Sequence, residues 1–254
     1  MNNERLYEIR NNHRGTPMQI IRYGDWNDID IEFLDDFHYI KEHQTYSNFK
    51  SGSIKNPYDR NVYGIGYLGE GNHVIKIGTD KSQPYKAWHE LIARCYAEKK
   101  KDTFPAYYNI CTVCDEWLCY NTFADWYVKN QYEVNERLQH LDKDILYAGN
   151  KIYSPKTCLL VPQRINMLFS NKPNDRGLPN GIRRTDSGKY SAKYGGKDIG
   201  TYPTLEEAYA EYARVKEKRI REVADEYKNI IPEKVYKALY DYKVRIENDK
   251  NYVA

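Results

Sequence analysis

The residues best suited to chemistry lie between Leu141 and Asn166. The run Leu141-Asp142-Lys143-Asp144 predicts a short strand, a long polar loop and a second strand follow it, and Asn166 falls in the first turn of a predicted helix. This layout can place the carboxylate of Asp142 opposite the amide of Asn166. Hard divalent cations prefer such oxygen ligands, and metal-assisted cleavage of a phosphodiester needs a cation close to the reacting bond. Asp142 and Asn166 are therefore the candidate ligands of Mg²⁺ or Mn²⁺.

Several short motifs around these residues carry a resemblance to a known family. Between about residues 84 and 170 they are Trp88-His89-Glu90-Leu91, Val113-Cys114-Asp115-Glu116-Trp117, Phe123-Ala124-Asp125-Trp126, Asp142-Lys143, Asn150-Lys151-Ile152-Tyr153-Ser154-Pro155, Cys158 and Gln163-Arg164-Ile165-Asn166. Together they resemble the ββα-metal core of the HNH endonucleases, in particular the phage and mobile-intron branch. The resemblance implies a phage-type DNA-binding protein whose active form is a hydrolase, a metal-dependent DNA nuclease.

The departures from this pattern concern the proton acceptor. The resemblance implies a histidine next to the metal ligand, acting as general base on the attacking water, and Lys143 stands at that place. A lysine with an ordinary pKa is protonated at neutral pH and cannot accept a proton. His140 shares a strand face with Asp142 and is the alternative base. Lys143 and His140 are thus the candidate catalytic residues, and a degenerate site without cleavage is favoured over an active one.

A second module follows a turn-rich linker that ends near Gly177. Three short antiparallel strands are predicted over 178–184, 188–194 and 197–202, and Thr204-Leu205-Glu206-Glu207 is a capping box that begins a helix extending to about Ala224 or Tyr227. Residues 178–216 resemble the DNA-binding domain of plant ethylene-response factors, which also occurs fused to phage HNH endonucleases. The segment Ile199-Gly200-Thr201-Tyr202 carries the clearest likeness.

That resemblance implies that the exposed face of the sheet enters the major groove of double-stranded DNA. The residues that correspond to DNA contacts are Arg183, Arg184, Lys189, Tyr190 and Lys193. A two- or three-stranded ribbon fits a major groove, and clustered cationic side chains give salt-dependent affinity for phosphates. The alternative is a basic sheet face that only faces solvent.

Five cysteines are present, and Cys111 and Cys114 form a Cys-x-x-Cys pair. Closed zinc sites favour two such pairs, whereas the remaining three thiols are scattered. Small buried hydrophobic residues are therefore the favoured interpretation, and Zn²⁺ is not expected. Upstream, Tyr85 to Cys95 predicts an amphipathic helix, and Lys99-Lys100-Lys101 is predicted to be its solvated end, with a phosphate contact as the alternative.

Length and patterning indicate a multidomain α+β protein. The 254 residues carry a net charge of +3, which is too small to identify a partner, although the first eighty residues lean acidic and 176–221 leans basic. We predict a small β domain over 1–78, an HNH-like domain over 79–172 and the three-stranded module with a C-terminal helix over 173–254. In the first of these, strands are expected over 18–23, 29–33 and 37–45, and the glycines of 64–71 are interpreted as a loop.

No apolar run is long enough to span a membrane, and the polar start is not a signal peptide. We therefore expect a soluble protein in the cytoplasm of a bacterial host cell. Three functions remain open at this stage. The first is a DNA-binding protein with a degenerate nuclease site, the second is an active nicking or cleaving endonuclease, and the third is an inhibitor of a host defence protein that contacts its target through the N-terminal β domain.

Overall fold

The computed structural model of the chain describes residues 5–134, 139–170 and 174–252. Two compact units are present, the first formed by 1–109 with 113–125 and the second by 110–112 with 126–254. Both helices and several small sheets occur, which confirms the predicted multidomain α+β class. The boundaries of the three predicted domains stay a prediction.

The first unit begins with a four-stranded antiparallel sheet in the order β1-β2-β3-β4. Its elements are β1 (Ile9–Asn11), β2 (Pro17–Asp25), β3 (Asp28–Phe33), β4 (Ile40–Gln44) and the short helix α1 (Tyr46–Ser51). Alternation along β2 and β3 buries Met18, Ile20, Ile29, Ile31 and Phe33 in one core with Phe49 of α1. The two predicted central strands are confirmed, while β1 and α1 were not predicted.

The strand predicted over 37–45 corresponds to β4. It is shorter than predicted, since it begins at Ile40 instead of residue 37. His38 adopts a left-handed backbone with φ of 49°, which turns the chain before pairing starts. The glycine-rich segment 64–71 forms a loop, as predicted. Gly66 is required there by close approach, because a Cβ atom at this position would lie 2.8 Å from the Trp88 side chain.

The rest of the first unit is mainly helical. Its elements are the hairpin β5 (Lys76–Ile77) and β6 (Asp80–Lys81), the helix α2 (Gln83–Tyr96), and 3-10 turns at Glu98–Lys100 and Asp115–Leu118. Ser82 caps α2 by accepting a hydrogen bond from the amide of Tyr85. The predicted amphipathic helix is confirmed, and Trp88 within it donates from its indole nitrogen to the carbonyl of Trp117 at 2.8 Å. The helix α3 (Tyr120–Asn130) then carries the chain into the second unit.

In the second unit, one long helix packs against a two-stranded sheet and against a three-stranded sheet. The elements of this unit are β8 (Gln139–Asp142), β9 (Ile152–Tyr153), β10 (Leu159–Pro162), α4 (Gln163–Leu168), β11 (Ile182–Arg184), β12 (Tyr190–Tyr194), β13 (Lys197–Tyr202), α5 (Leu205–Glu226) and α6 (Glu233–Tyr240), preceded by the two-residue strand β7 (Thr112–Val113). The N-terminal part of α5 buries Ala208 and Tyr212 against the three-stranded sheet β11-β12-β13. Its C-terminal part buries Ile220 and Val223 in a core shared with β10, α4 and α6.

The C-terminal helix is shorter than its apolar stripe. Apolar residues recur at helical spacing at Val235, Leu239, Tyr242 and Ile246, but the helix ends at Tyr240. Tyr242 nevertheless packs inward, with its ring centroid 4.8 Å from that of Phe169. Among the residues described, no helix combines the length and apolarity needed to cross a bilayer.

Candidate functional site

The predicted strand–loop–strand–helix layout around Asp142 is confirmed by β8, β10 and α4. The two strands pair antiparallel with Asp142 opposite Leu159, and α4 follows β10 directly and packs on β8. Asp142 is buried, and its Oδ1 accepts hydrogen bonds from the amides of Asp144 at 2.8 Å and Ile145 at 2.7 Å. Burial raises the pKa of Asp142 to about 6, because a buried carboxylate loses its hydration.

Lys143 is buried beside Asp142 and is held by oxygen acceptors. Its Nζ donates to Oδ1 of Asp144 at 2.8 Å and to the carbonyl of Asn150, and it lies 5.8 Å from the centre of the Tyr153 ring. The Asn150 side chain in turn donates to the carbonyls of Lys143 and Ile152. Two of the N–H donors of the Lys143 side chain are therefore taken up by oxygen atoms of its own loop. The motif residues Asn150 and Tyr153 therefore have a structural role in surrounding Lys143.

His140 lies on β8 and Asn166 on α4, the strand and the helix that the sequence predicted for them. His140 lies on β8 opposite Val161, two residues before Asp142 and thus on the same strand face, and it is half-buried. Asn166 is half-buried on α4, and within the described ranges its side chain forms no hydrogen bond. The remaining oxygen of Asp142, Oδ2, likewise accepts no hydrogen bond from a described residue. These two side chains are therefore the groups with oxygen atoms left for a cation.

A second group of possible metal ligands lies in the first unit and was missed by sequence reasoning. Asp28, Asp30 and His43 place ligand atoms within 4.8 Å of one another. The guanidinium of Arg22 already bridges both carboxylates, at 2.6 Å from Asp28 and in direct contact with Asp30. Its hydrogen bonds, with that of His43, lower the pKa of Asp28 to about 2. The alternation Asp28-x-Asp30 on a strand was the sequence signal for this group. Arg22 already supplies a positive charge to both carboxylates.

The cysteines behave as buried apolar residues. Cys95, Cys111, Cys119 and Cys158 are buried, and none of the five cysteines, all of which lie in the described ranges, is in a disulfide. Burial raises the pKa of Cys114 to about 11 and that of Cys158 to about 12, so both are neutral thiols at neutral pH. Zinc binds the thiolate form, which these surroundings disfavour.

The sheet β11-β12-β13 has one face covered by α5 and one face open. The register places Ile182 opposite Ala192, and both are buried against α5. Because side chains alternate along a strand, Arg183 and Ser191 point to the opposite face, which we call the outer face. Lys193 follows Ser191 on β12, after a β-bulge between Ala192 and Lys193, and is also exposed.

The cationic side chains of the sheet are largely without counter-charges. Arg183, Arg184 and Lys189 are exposed and form no ion pair with any residue in the described ranges. Lys193 is the exception, since its Nζ lies 3.0 Å from Oδ1 of Asp198, with both side chains largely exposed. Positive charge on this sheet is therefore available to an anionic partner.

Tyr190 is placed differently from the other four predicted DNA contacts. It pairs with Arg184 across the hairpin, is half-buried and packs against the core formed with α5. Arg184 shares its strand face but lies at the sheet end, where it is exposed. The five predicted contacts thus divide into four exposed cations and one core tyrosine.

Comparison of the chain with protein-family models, with curated proteins and with solved structures finds no match.

Proposed function

We propose that the protein binds duplex DNA through the outer face of the three-stranded sheet and the turn that joins β11 to β12. The observation that carries the proposal is the group of exposed cations without ion pairs, Arg183, Arg184 and Lys189. A sheet of this width fits the major groove, and such side chains gain affinity by releasing counterions from phosphates. The sequence resemblance to a DNA-binding domain supports the same partner.

The outer face is held on a rigid support. The capping box of Thr204 and Glu207 fixes the start of α5, and Tyr212 packs beneath the sheet. Gly181 adopts a left-handed φ of 81°, and a Cβ atom there would lie 2.3 Å from the Tyr212 ring. This packing fixes the spacing of the cationic side chains before DNA arrives, which reduces the entropy lost on binding.

The ββα region is proposed to be a degenerate nuclease site that no longer cleaves DNA. Lys143 stands where the resemblance expects a general base, and its side chain is buried and donates hydrogen bonds to Asp144 and Asn150. Oδ1 of Asp142 is occupied by two backbone amides of its own turn. The surroundings of both residues support a structural role.

An active endonuclease is the second candidate, and one observation favours it. His140 lies on the same strand face as Asp142, while Oδ2 of Asp142 and the amide oxygen of Asn166 form the donor set that suits Mg²⁺ or Mn²⁺. In this case those two residues would hold the cation, which would polarise the phosphate, and His140 would accept the proton from water.

Binding to a labelled DNA duplex at several salt concentrations tests the main proposal. We expect Arg183→Ala with Arg184→Ala to weaken binding by about tenfold to a hundredfold and to reduce the slope of log K against log salt by about 1.8. The control variant removes two exposed lysines of the same unit, Lys228→Ala with Lys234→Ala, and leaves both quantities unchanged. Equal affinity of the arginine variant and the wild type contradicts the proposal.

Cleavage is tested on supercoiled DNA with Mg²⁺ or Mn²⁺. A degenerate site gives binding without nicking in every metal condition. Nicking that is lost in Asp142→Asn and in His140→Ala, while duplex binding persists, establishes the second candidate instead.

A further inference from the structure

Three aromatic rings form a cluster on the first unit, beside α2. The centroid of the His89 ring lies 5.3 Å from that of Tyr63 and 5.8 Å from that of Tyr85. Each of the three side chains is half-buried, so each leaves part of its ring accessible. Tyr85 also packs on Trp88 and Tyr120, which anchors the cluster to the core. We call Tyr63, Tyr85 and His89 the aromatic platform.

Two lysines flank the aromatic platform. Nζ of Lys81 lies 5.3 Å from the centre of the Tyr85 ring, and Nζ of Lys99 lies 5.7 Å from that of Tyr63. Both lysines are exposed, and neither forms an ion pair with a residue that the structure describes. The neighbouring acids Glu90 and Glu98 are exposed and form no ion pair with either ammonium. Positive charge therefore borders the rings on two sides.

A third lysine extends this positive border. Lys76 lies directly opposite Lys81 in the β5–β6 hairpin, so both side chains point to the same face of the hairpin. Like charges placed directly opposite each other destabilise a sheet, and an opposite charge nearby reduces this repulsion. The hairpin thus favours an anionic partner next to the platform.

The ring at the centre of the platform is neutral at neutral pH. Burial is the main cause that lowers the pKa of His89, and the adjacent Lys81 and Lys99 lower it further against the opposing effect of Glu90. A neutral imidazole stacks as an aromatic ring and holds no counter-ion of its own. The charge of the region is left to the lysines, at the border of the platform.

Tyr63 is held in place by a strained turn. Its φ is 54°, in the left-handed region that a bulky residue rarely adopts. The turn is closed by reciprocal backbone hydrogen bonds between Val62 and Gly66, at 3.0 and 2.9 Å. Strain of this kind persists where the surrounding structure fixes a side chain that has a role. Here it keeps the Tyr63 ring against His89.

We propose that the aromatic platform binds a single strand of nucleic acid, with bases stacked on Tyr63 and Tyr85 and phosphates paired with Lys81 and Lys99. Accessible rings bordered by unpaired cations are the combination that single strands require, because every base has a stacking face and every nucleotide carries a charge. An acidic peptide would use the lysines alone. The site lies in the first unit and does not depend on the duplex-binding face of the second.

The test measures binding of labelled oligo-dT and oligo-U, in separate arms, to the full chain. The strands exceed the span of about 4–16 nucleotides that a single-strand site covers. We expect Tyr63→Leu to weaken binding by about tenfold, whereas Tyr63→Phe keeps the ring and the affinity. Lys81→Ala with Lys99→Ala is expected to reduce the salt slope by about 1.4, at about 0.7 for each phosphate contact.

The matched control replaces two exposed lysines elsewhere in the first unit, Lys50→Ala with Lys55→Ala, and keeps wild-type affinity for the single strand. Binding of either oligonucleotide with the expected losses supports the proposal, and the stronger arm identifies the sugar. Single-strand affinity that is absent, or unchanged in both the Tyr63→Leu and the double-lysine variants, overturns it. So does competition by poly-glutamate that is insensitive to Tyr63→Leu.

The two proposals fail separately. Arg183→Ala with Arg184→Ala is expected to leave single-strand binding unchanged while it weakens duplex binding. If instead this variant loses both kinds of binding and the platform variants lose neither, the aromatic platform is not a nucleic-acid site.

Discussion

Basic residues of the second unit lie in two opposite environments, exposed on the three-stranded sheet and buried beside Asp142. On the three-stranded sheet, Arg183 and Arg184 are exposed and have no ion pair with a described residue. In the ββα region, Lys143 is buried and donates to Asp144 and Asn150. Lys143 already has its acceptors within the fold, whereas the exposed arginines are available to an anionic partner. This difference is the reason for proposing a binding role for the sheet and a structural role for Lys143.

Helix α5 packs against both of these regions. Its first turns support the sheet and its last turns pack on β10 and α4 through Ile220 and Val223. The following variants test whether stability and binding can be changed separately in the two regions.

The largest effect is expected from Lys143→Ala. It removes the partner of the Asp144 carboxylate and of the buried Asn150 carbonyl, so we expect the free energy of unfolding to fall by about 3 kcal/mol. Chemical denaturation measures this loss. Lys156→Ala, an exposed lysine of the same loop, is the control and changes it by less than about 0.5 kcal/mol. An unchanged stability in Lys143→Ala would contradict the structural role.

The next effect concerns pH and Asp142. Its folded-state pKa of about 6 lies above the value of about 3.9 for an unfolded carboxyl. The folded state therefore holds this proton more tightly, so the contribution is fully present below about pH 4 and is lost as the pH rises through about 6. The total loss is about 3 kcal/mol, from about 1.36 kcal/mol for each pH unit.

Asp142→Asn keeps the oxygen that accepts from Asp144 and Ile145 but cannot ionise. Subtracting its stability–pH curve from that of the wild type isolates the single carboxyl. The wild type should lose stability relative to the variant between about pH 4 and 6. A difference curve that is flat, or that rises with pH, is inconsistent with a buried carboxyl.

A smaller effect separates Tyr190 from Arg184, which are paired across the first hairpin of the sheet. Tyr190→Ala should lower the free energy of unfolding by about 2 kcal/mol, because the ring packs against the core under the sheet. Arg184→Ala, at the position directly opposite in the register, should change it by less than about 0.5 kcal/mol while weakening duplex binding. Thermal denaturation together with duplex titration distinguishes the two. Equal stability losses would mean that Arg184 also belongs to the core.

The smallest effect is expected at Lys193, whose ammonium forms an ion pair with Asp198. Asp198→Ala removes the carboxylate that contacts Lys193, and the affinity for duplex DNA should rise about two- to threefold at low salt, since exposed ion pairs are worth less than about 1 kcal/mol. Asp186→Ala, which removes an exposed carboxylate of the adjacent turn, is the comparison. The gain should disappear at high salt, where screening removes the difference.

Sequence periodicity predicted the elements whose residues interact locally. The strands around Ile20 and Ile31 alternate, and the capping box at Thr204 marks the start of α5 correctly, because both signals arise within a few residues. The start of the strand predicted over 37–45 was wrong by three residues, and the apolar spacing after Pro232 overstates the length of α6. There the chain is turned by the backbone of His38, or ended at Tyr240, although the apolar pattern continues.

Contacts that depend on how elements pair or pack were beyond the reach of such patterns. The Arg22 bridge to Asp28 and Asp30 depends on the pairing of β2 with β3, and the aromatic platform of Tyr63, Tyr85 and His89 joins a loop to a helix. The Asp28-x-Asp30 alternation places two carboxylates on one strand face, but no spacing in the sequence indicates that Arg22 meets them or that the three rings meet one another.

The sequence by itself determined which side chains are available: an acid and an amide around two short strands, cations on a predicted ribbon, and the helix that follows a capping box. Only the tertiary structure decided what each charge does. Lys143 stabilises its own loop because β8 and β9 bring Asn150 to it, and Tyr190 faces the core because α5 covers that side of the sheet. Burial and counter-charge depend on which elements pack together, and that is a property of the whole fold.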